Sequence, residues 1–405
     1  MGSPFLWGVA GSGHQIEGGN VHSDYWLAEH VAASMFAEPS GDACDHYARC
    51  FDDVALLASL GYSCYRFSVE WSRIEPAEGD FDEPALDHYV ALAERCGNHD
   101  IEPMVTYNHF SCPAWFAARG GWSDPDSVDR FGRYCTVVAE ALGDRVDWAC
   151  TLNEPNVGVQ LREDGIFPAD DQWREFDWQR DAARVAGGSQ FSIFPIGPTQ
   201  PSQDHLLAAH GRAVEIIHAA NPRCRVGMTL AVQDYQTMPG GHEAAAESRR
   251  KAVDVYLDAT GGDDFIGVQT YTRAVYDPEG VVDPGPDVER TQMGYEFYPE
   301  ALGGAISYVA SRTGKPVFVT ENGIATEHDE RRVEYLDRAV ASMRAAVTGG
   351  AEVLGYCHWS IFDNYEWVHG YRPKFGVIAV DRTTQQRTPK PSAYRLGDYA
   401  RAGRP

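Results

Sequence analysis

Lysine is scarce in this chain. Only four occur among 405 residues, at positions 251, 315, 374 and 390, so arginine carries nearly all the positive charge. The formal net charge is −25. A surface that acidic repels phosphate backbones and anionic lipid headgroups, which argues against nucleic acid and membrane as partners. A paired-cysteine framework is also missing. The nine cysteines (44, 50, 64, 96, 112, 135, 150, 224 and 357) are odd in number and include no CxxC pair. They read as reduced thiols, several of them small core residues. No apolar run approaches the length of a membrane-spanning helix. Met1 leads within four residues into Phe5-Leu6-Trp7-Gly8, with no basic n-region or apolar h-region. A secretory leader is therefore not expected, and the expected location is cytoplasmic.

Two further motifs are incomplete. His242-Glu243 is followed by Ala244-Ala245-Ala246 and lacks the second histidine of a zinc protease helix. Gly8, Gly11 and Gly13 do not fit the dinucleotide fingerprint. Neither motif supports a zinc site or a dinucleotide site.

What the chain does have is aromatic surface, with 20 Tyr and 10 Trp. These rings can fill a large core or stack on the C–H faces of a pyranose, and composition alone does not choose. Short apolar, β-branched or aromatic runs recur at Phe5–Gly11, Tyr62–Val69, Pro103–Phe110, Asp147–Glu154, Cys224–Leu230, Asp264–Tyr271, Pro316–Glu321 and Leu354–Asp363. Segments of helical spacing separate them. Asp52–Leu60 is stopped by Gly61, a second helix starts near Pro84, and a third starts near Pro299 and is closed by Gly314 and Pro316. Strands alternating with helices indicate βαβ units and a parallel sheet. Eight units over this length predict an α/β fold closed as a (β/α)8 TIM barrel, one catalytic domain over residues 1–405. Two long connections, near 162–203 and 272–298, follow predicted strands and so fall at the C-terminal face, where barrel active sites are built. Trp173 and Trp178 in the first of them read equally well as leaving-group contacts or as anchors of the loop.

Polar residues interrupt the apolar runs at informative places. Thr151-Leu152-Asn153-Glu154-Pro155 ends one strand in an amide and a carboxylate, and Val319-Thr320-Glu321-Asn322-Gly323 ends another in a carboxylate. Two such glutamates can face each other across a barrel mouth. Paired carboxylates across a glycosidic bond, one protonated and one ionised, are what glycoside hydrolysis requires. Other strand ends supply Gln15, Arg66, His109, Gln269, Tyr271, Trp359, Glu366 and Trp367. Neutral amides, one cation and flat aromatic faces suit sugar hydroxyls.

Together these motifs, in this order from Phe5 to about Asp381, resemble the family 1 glycoside hydrolases, the β-glucosidase family. The resemblance implies that Glu154 is the acid/base and Glu321 the nucleophile. It implies that Arg66 and Tyr271 tune Glu321. It places Gln15, His109, Asn153, Gln269, Glu366, Trp359 and Trp367 around the sugar, with Trp359 as the platform. A covalent glycosyl-enzyme would form and be hydrolysed with retention, on carboxyl groups roughly 5–5.5 Å apart. A nearby Arg would keep Glu321 ionised, while apolar surroundings and a second negative charge would raise Glu154. The expected substrate is a small-molecule or oligosaccharide β-glycoside, with no cofactor; oligomeric state is not legible. Against the family pattern, Gln269-Thr270 stands for Asn-Tyr, Phe110 for Trp, Tyr365 for Phe and Tyr295 for Trp. Three alternatives share much of this constellation: a transglycosidase, a 6-phospho-β-glycosidase and a non-catalytic sugar-binding protein. A phosphate would meet the carboxylate of Glu366, and a non-catalytic relative would be expected to have lost one of the two glutamates.

Overall fold

The computed structural model of the chain describes residues 4–166, 176–196 and 199–404. Eight parallel strands close into a barrel: β1 Leu6–Gly11, β2 Cys64–Ser68, β3 Glu102–Asn108, β4 Trp148–Asn153, β5 Arg225–Ala231, β6 Ile266–Gln269, β7 Val317–Asn322 and β8 Val353–Trp359. Each strand neighbours the next in sequence, and β8 returns to β1. This is the (β/α)8 barrel expected from the alternation of patterns.

Alternation along the strands sorts two apolar layers. Leu6, Ala10, Cys64, Met104, Trp148, Cys150, Phe318 and Cys357 form one cluster with Phe265 and Trp359. Their alternates, among them Trp7, Val9, Tyr65, Phe67, Val105, Val317 and Val319, form the layer shared with the helices. The strands are buried on both faces, which is why they read as near-continuous apolar runs. All nine cysteines are free and buried.

The major helices are α1 His46–Leu60, α2 Glu83–Gly97, α3 Ser127–Leu142, α4 Gln200–Ala220, α5 His242–Arg249, α6 Ala301–Thr313, α7 Asp329–Thr348 and α8 Pro391–Ala402. Their ends follow the punctuation in the sequence. At α2 the Asp82 side chain accepts from the Ala85 N–H at 2.9 Å, with Pro84 in the first turn. At α1, Gly61 adopts φ 88°, and its N–H closes the last turn on Ala58. Among the described residues no helix is long and apolar enough to cross a membrane.

Several boundaries differ from expectation. β8 ends at Trp359 rather than Asp363. Beyond it the backbone pairs with the 375–378 segment, Ser360 N–H donating to Phe375 O and Val377 N–H to Ser360 O. β6 ends at Gln269, two residues short of Tyr271. The 272–298 connection is not a plain loop: Arg273–Asp277 and Gly280–Val281 join Asp234–Thr237 in a three-stranded sheet. Its signal was an alternation, with Ala274 and Tyr276 buried between half-buried neighbours. In the first long connection, Trp178 is buried in a cluster with Tyr25, Phe36, Phe110 and Phe191, which is the anchoring role. Trp173 lies outside the described residues.

Phe318 sits at the centre of the barrel interior, fully buried, with ring centroids 5.4 Å from Trp148 and 6.1 Å from Phe265. Phe318→Ala is expected to cost about 3–5 kcal/mol in urea unfolding. A loss under about 1 kcal/mol would mean that the interior is not packed in this way.

Candidate active site

The mouth is organised by Arg66, a fully buried side chain rising from β2. Its Nη1 donates to Glu321 Oε1 at 2.6 Å, Nη2 to Asn153 Oδ1 at 2.5 Å and Nε to Thr106 Oγ1 at 3.1 Å. One rigid fork therefore ties the ends of β4 and β7 together across the barrel. The nucleophile candidate receives two more bonds. Gln269 Nε2 donates to Glu321 Oε1 at 2.9 Å, and Tyr271 Oη donates to Glu321 Oε2 at 2.6 Å.

Local irregularity aims both glutamates. The register of β7 against β6 slips between Val319 and Glu321, and that of β4 against β5 between Cys150 and Asn153. Such slips re-aim side chains next to active sites. Glu154 itself adopts φ 43°, a left-handed conformation costly for a residue with a long side chain. It is held by its own N–H, which donates to Thr229 O at 2.8 Å, and by Asn156, whose Nδ2 donates to Ala231 O at 2.7 Å. Beside Glu321, Asn322 Nδ2 donates to Thr270 O at 2.6 Å. A Cβ on Gly323 would stand 2.0 Å from Trp359 O, so glycine is what lets β7 and β8 close together here. The small polar residues flanking each glutamate hold the backbone.

The remaining predicted residues converge on the same space. Gln15 Nε2 donates to Tyr365 O at 2.8 Å and to Glu366 Oε2 at 3.2 Å. His109 stacks on Trp359 with centroids 5.5 Å apart and planes 20° apart. Trp367 stacks on His14 and contacts Tyr25 and Phe110. Phe110, in place of the family's usual Trp, belongs to this aromatic wall. Gln269, in place of the family's usual Asn, reaches Glu321 directly. Asn153 Oδ1 accepts from Arg66, from Gln269 at 2.9 Å and from Thr229 at 3.3 Å. Three donors on its oxygen fix the flip of that amide and leave its NH2 on the other edge. Gln15 Oε1, His109 Nδ1 and Gln269 Oε1 are buried with no partner among the described residues. Buried polar atoms without partners are rare and ask for a ligand or water.

Thr106 and Thr229 were not legible as site residues. Each is a buried threonine inside an apolar strand, and only the barrel's closure brings it to Arg66 or Asn153. A second cleft adjoins Glu154, lined also by Gln160, Asp164, Gln233, Tyr271 and Tyr295. Among the described residues, no three His, Cys, Asp or Glu side chains are grouped to hold a metal ion.

Electrostatics separate the two glutamates. Burial, then the charges of Glu321 and Glu366, push Glu154 well above the usual carboxylate range, against Arg66. Burial also raises Glu321, but Arg66 and the Tyr271 hydrogen bond pull it back. The expectation that a nearby Arg keeps Glu321 ionised is corrected in part: Arg66 lowers it as expected, but burial outweighs Arg66, and Glu154 is raised further. Glu154 keeps its proton longer than Glu321. Burial and the Glu321 charge raise Glu366 to about 8, with the Gln15 hydrogen bond opposing. Burial and the Arg66 charge hold His109 well below the ordinary histidine range, so its ring is neutral.

Paired carboxyl groups whose surroundings push them apart, at the C-terminal mouth of a (β/α)8 barrel and ringed by free polar atoms, place the protein among the glycoside hydrolases. The sequence profile of Glycosyl hydrolase family 1 matches residues 1–263 and 268–403. Thermostable beta-glucosidase B of Thermobispora bispora is 30% identical, over 98% of this chain and 90% of that one. In structure the chain is similar to beta-glycosidase BGL167, with 48% identity, a TM-score of 0.95 and coverage of 100% of this chain and 98% of that one. It is also similar to the beta-glucosidase from Thermotoga maritima in complex with glucoimidazole (26% identity, TM-score 0.84, 99% of each chain). The chain belongs to glycosyl hydrolase family 1.

The raised Glu366 carboxyl makes a testable stability claim. Its folded value is about 8, against roughly 4.3 for an unperturbed glutamate. Between these values the native state holds a proton that the unfolded chain releases. Stability is therefore lost as pH rises from about 4 to about 8. Glu366→Gln removes this loss, so thermal unfolding should show the variant gaining on wild type steadily across that window. A pH-independent difference would contradict the assignment.

Proposed function

We propose that the protein is a retaining β-glycosidase of β-glucosidase type, with Glu321 as nucleophile and Glu154 as acid/base. The observation that carries this is the asymmetric pair: Glu321 gathers three hydrogen bonds, from Arg66, Gln269 and Tyr271, and Glu154 is raised by burial and by Glu321's charge. The glucosidase preference rests on the relatives, one named a beta-glucosidase and another solved with glucoimidazole.

In the first step Glu321 attacks the anomeric carbon while Glu154 gives its proton to the leaving oxygen. The glycosyl ester that forms at Glu321 carries no charge. One cause of Glu154's elevation is thereby removed, its pKa falls, and it becomes the base that takes a proton from the incoming water. Water attacks from the face the leaving group vacated, and the product keeps the β configuration. Gln15, His109, Asn153 and Glu366 bind the sugar hydroxyls, and Trp359 lies under the ring. Glu366 stands against a sugar 6-phosphate: it offers the dianion no positive charge and repels it once ionised.

The test is a panel of p-nitrophenyl β-glycosides with wild type, Glu321→Ala and Glu154→Ala. Wild type should release nitrophenol fastest from the glucoside, and Glu321→Ala should be inactive. Glu154→Ala should lose about 10²–10⁴-fold on poor leaving groups, lose less on nitrophenol, and form a β-glycosyl azide when azide is added. Wild type inert on every sugar would sink the reading.

A further inference from the structure

We infer that Thr151, His210 and Asp263 form a buried strut that holds the bulge in β4 and so sets the aim of Glu154. The inference rests on the acid/base reading of Glu154 and extends it to the residues behind that group.

The bulge shows in the pairing. Between β4 and β5, Cys150 pairs with Gly227 and Asn153 with Thr229, so three steps along one strand face two along the other. On its other side β4 stays in step with β3, Thr106 facing Cys150 and Asn108 facing Leu152. The extra residue therefore falls at Thr151 and Leu152. A bulge bends its strand and re-aims the side chains beside it, and Asn153 and Glu154 come directly after this one.

Thr151 is where the bulge is tied down. Its Oγ1 lies 2.7 Å from Nδ1 of His210, on α4, and His210 Nε2 lies 2.9 Å from Oδ1 of Asp263, just before β6. The partners assign the tautomer. A carboxylate only accepts, so the His210 Nε2–H donates to Asp263, and Nδ1 accepts from the Thr151 hydroxyl. Asp263 Oδ2 then accepts the Met228 N–H at 2.8 Å. Met228 is the β5 residue between the paired positions Gly227 and Thr229. The strut starts on the bulge and ends on the strand it bulges against.

A hydroxyl, an imidazole and a carboxylate in this order are also the parts of a nucleophilic triad. Burial decides against that use. Thr151 is 0% exposed and His210 1%, so no substrate atom reaches the hydroxyl, and the array acts through the backbone. A buried polar network with every member satisfied specifies one arrangement. Glu154 needs one: its φ of 43° is of the kind that persists only where the surroundings over-determine it. Thr151 and His210 are thus positioning residues for the acid/base.

The experiment measures kcat/KM on phenyl β-glucoside, whose leaving oxygen needs a proton, and on 2,4-dinitrophenyl β-glucoside, whose leaving group departs without one. Thr151→Val keeps the shape and removes only the hydroxyl. It should lose about ten- to hundredfold on the phenyl glucoside and keep its rate on the dinitrophenyl glucoside. That split marks a misplaced acid, which a damaged fold would not produce. Thr151→Ser keeps the hydroxyl and should behave as wild type. His210→Gln reaches Asp263 but loses the acceptor facing Thr151, and should repeat the split. Equal losses on the two glucosides in Thr151→Val, or none on either, overturn the inference; if that variant does not fold, His210→Gln decides in the same way. Glu154→Ala is the control. A split there with none in the Thr151 and His210 variants leaves the acid/base reading standing and removes this inference. No split in Glu154→Ala removes both.

Discussion

One buried guanidinium holds the mouth of this barrel together. Arg66 is enclosed by protein, and taking its charge out of water is tolerable only because Glu321 neutralises it and Asn153 and Thr106 occupy its other donors. Leaving one member of such a pair unmatched typically costs about 3–5 kcal/mol. The strand ends that carry the chemistry are therefore also the ends that must come together for the barrel to close. Catalytic geometry and mouth stability share the same bonds.

The same arrangement ranks the two glutamates. Both are buried, and burial raises both. What separates them is hydrogen bonding: Glu321 accepts from a cation, an amide and a phenol, whereas Glu154 has the charges of two other carboxyl groups against it. Gln269, a departure from the family pattern, donates to Glu321 as well as to Asn153 and so is one of three donors on the nucleophile candidate.

The fold was legible because a barrel buries both faces of its strands, and eight apolar runs with glycine and proline punctuation have few other solutions. The paired glutamates were legible because polar residues at the ends of apolar runs are hard to explain otherwise. What escaped was set by closure rather than by local pattern. Thr106 and Thr229 are ordinary strand residues until β2 and β4 bring Arg66 and Asn153 to them. Gln160, Asp164 and Gln233 lie on a short helix and a strand exit whose meeting nothing in the sequence announces. The small sheet built on Arg273–Asp277 was hidden because its alternation is short and surrounded by acidic residues, glycine and proline.

The central claim is that Glu321 attacks the sugar. The most direct measurement is peptide mapping by mass spectrometry after incubation with an activated 2-deoxy-2-fluoro-β-glucoside, which slows breakdown of a covalent intermediate. The account predicts a stoichiometric label on the peptide carrying Glu321, lost on addition of an acceptor that restores activity. A label on Glu154, or steady turnover to an α-configured product with no label, would contradict it.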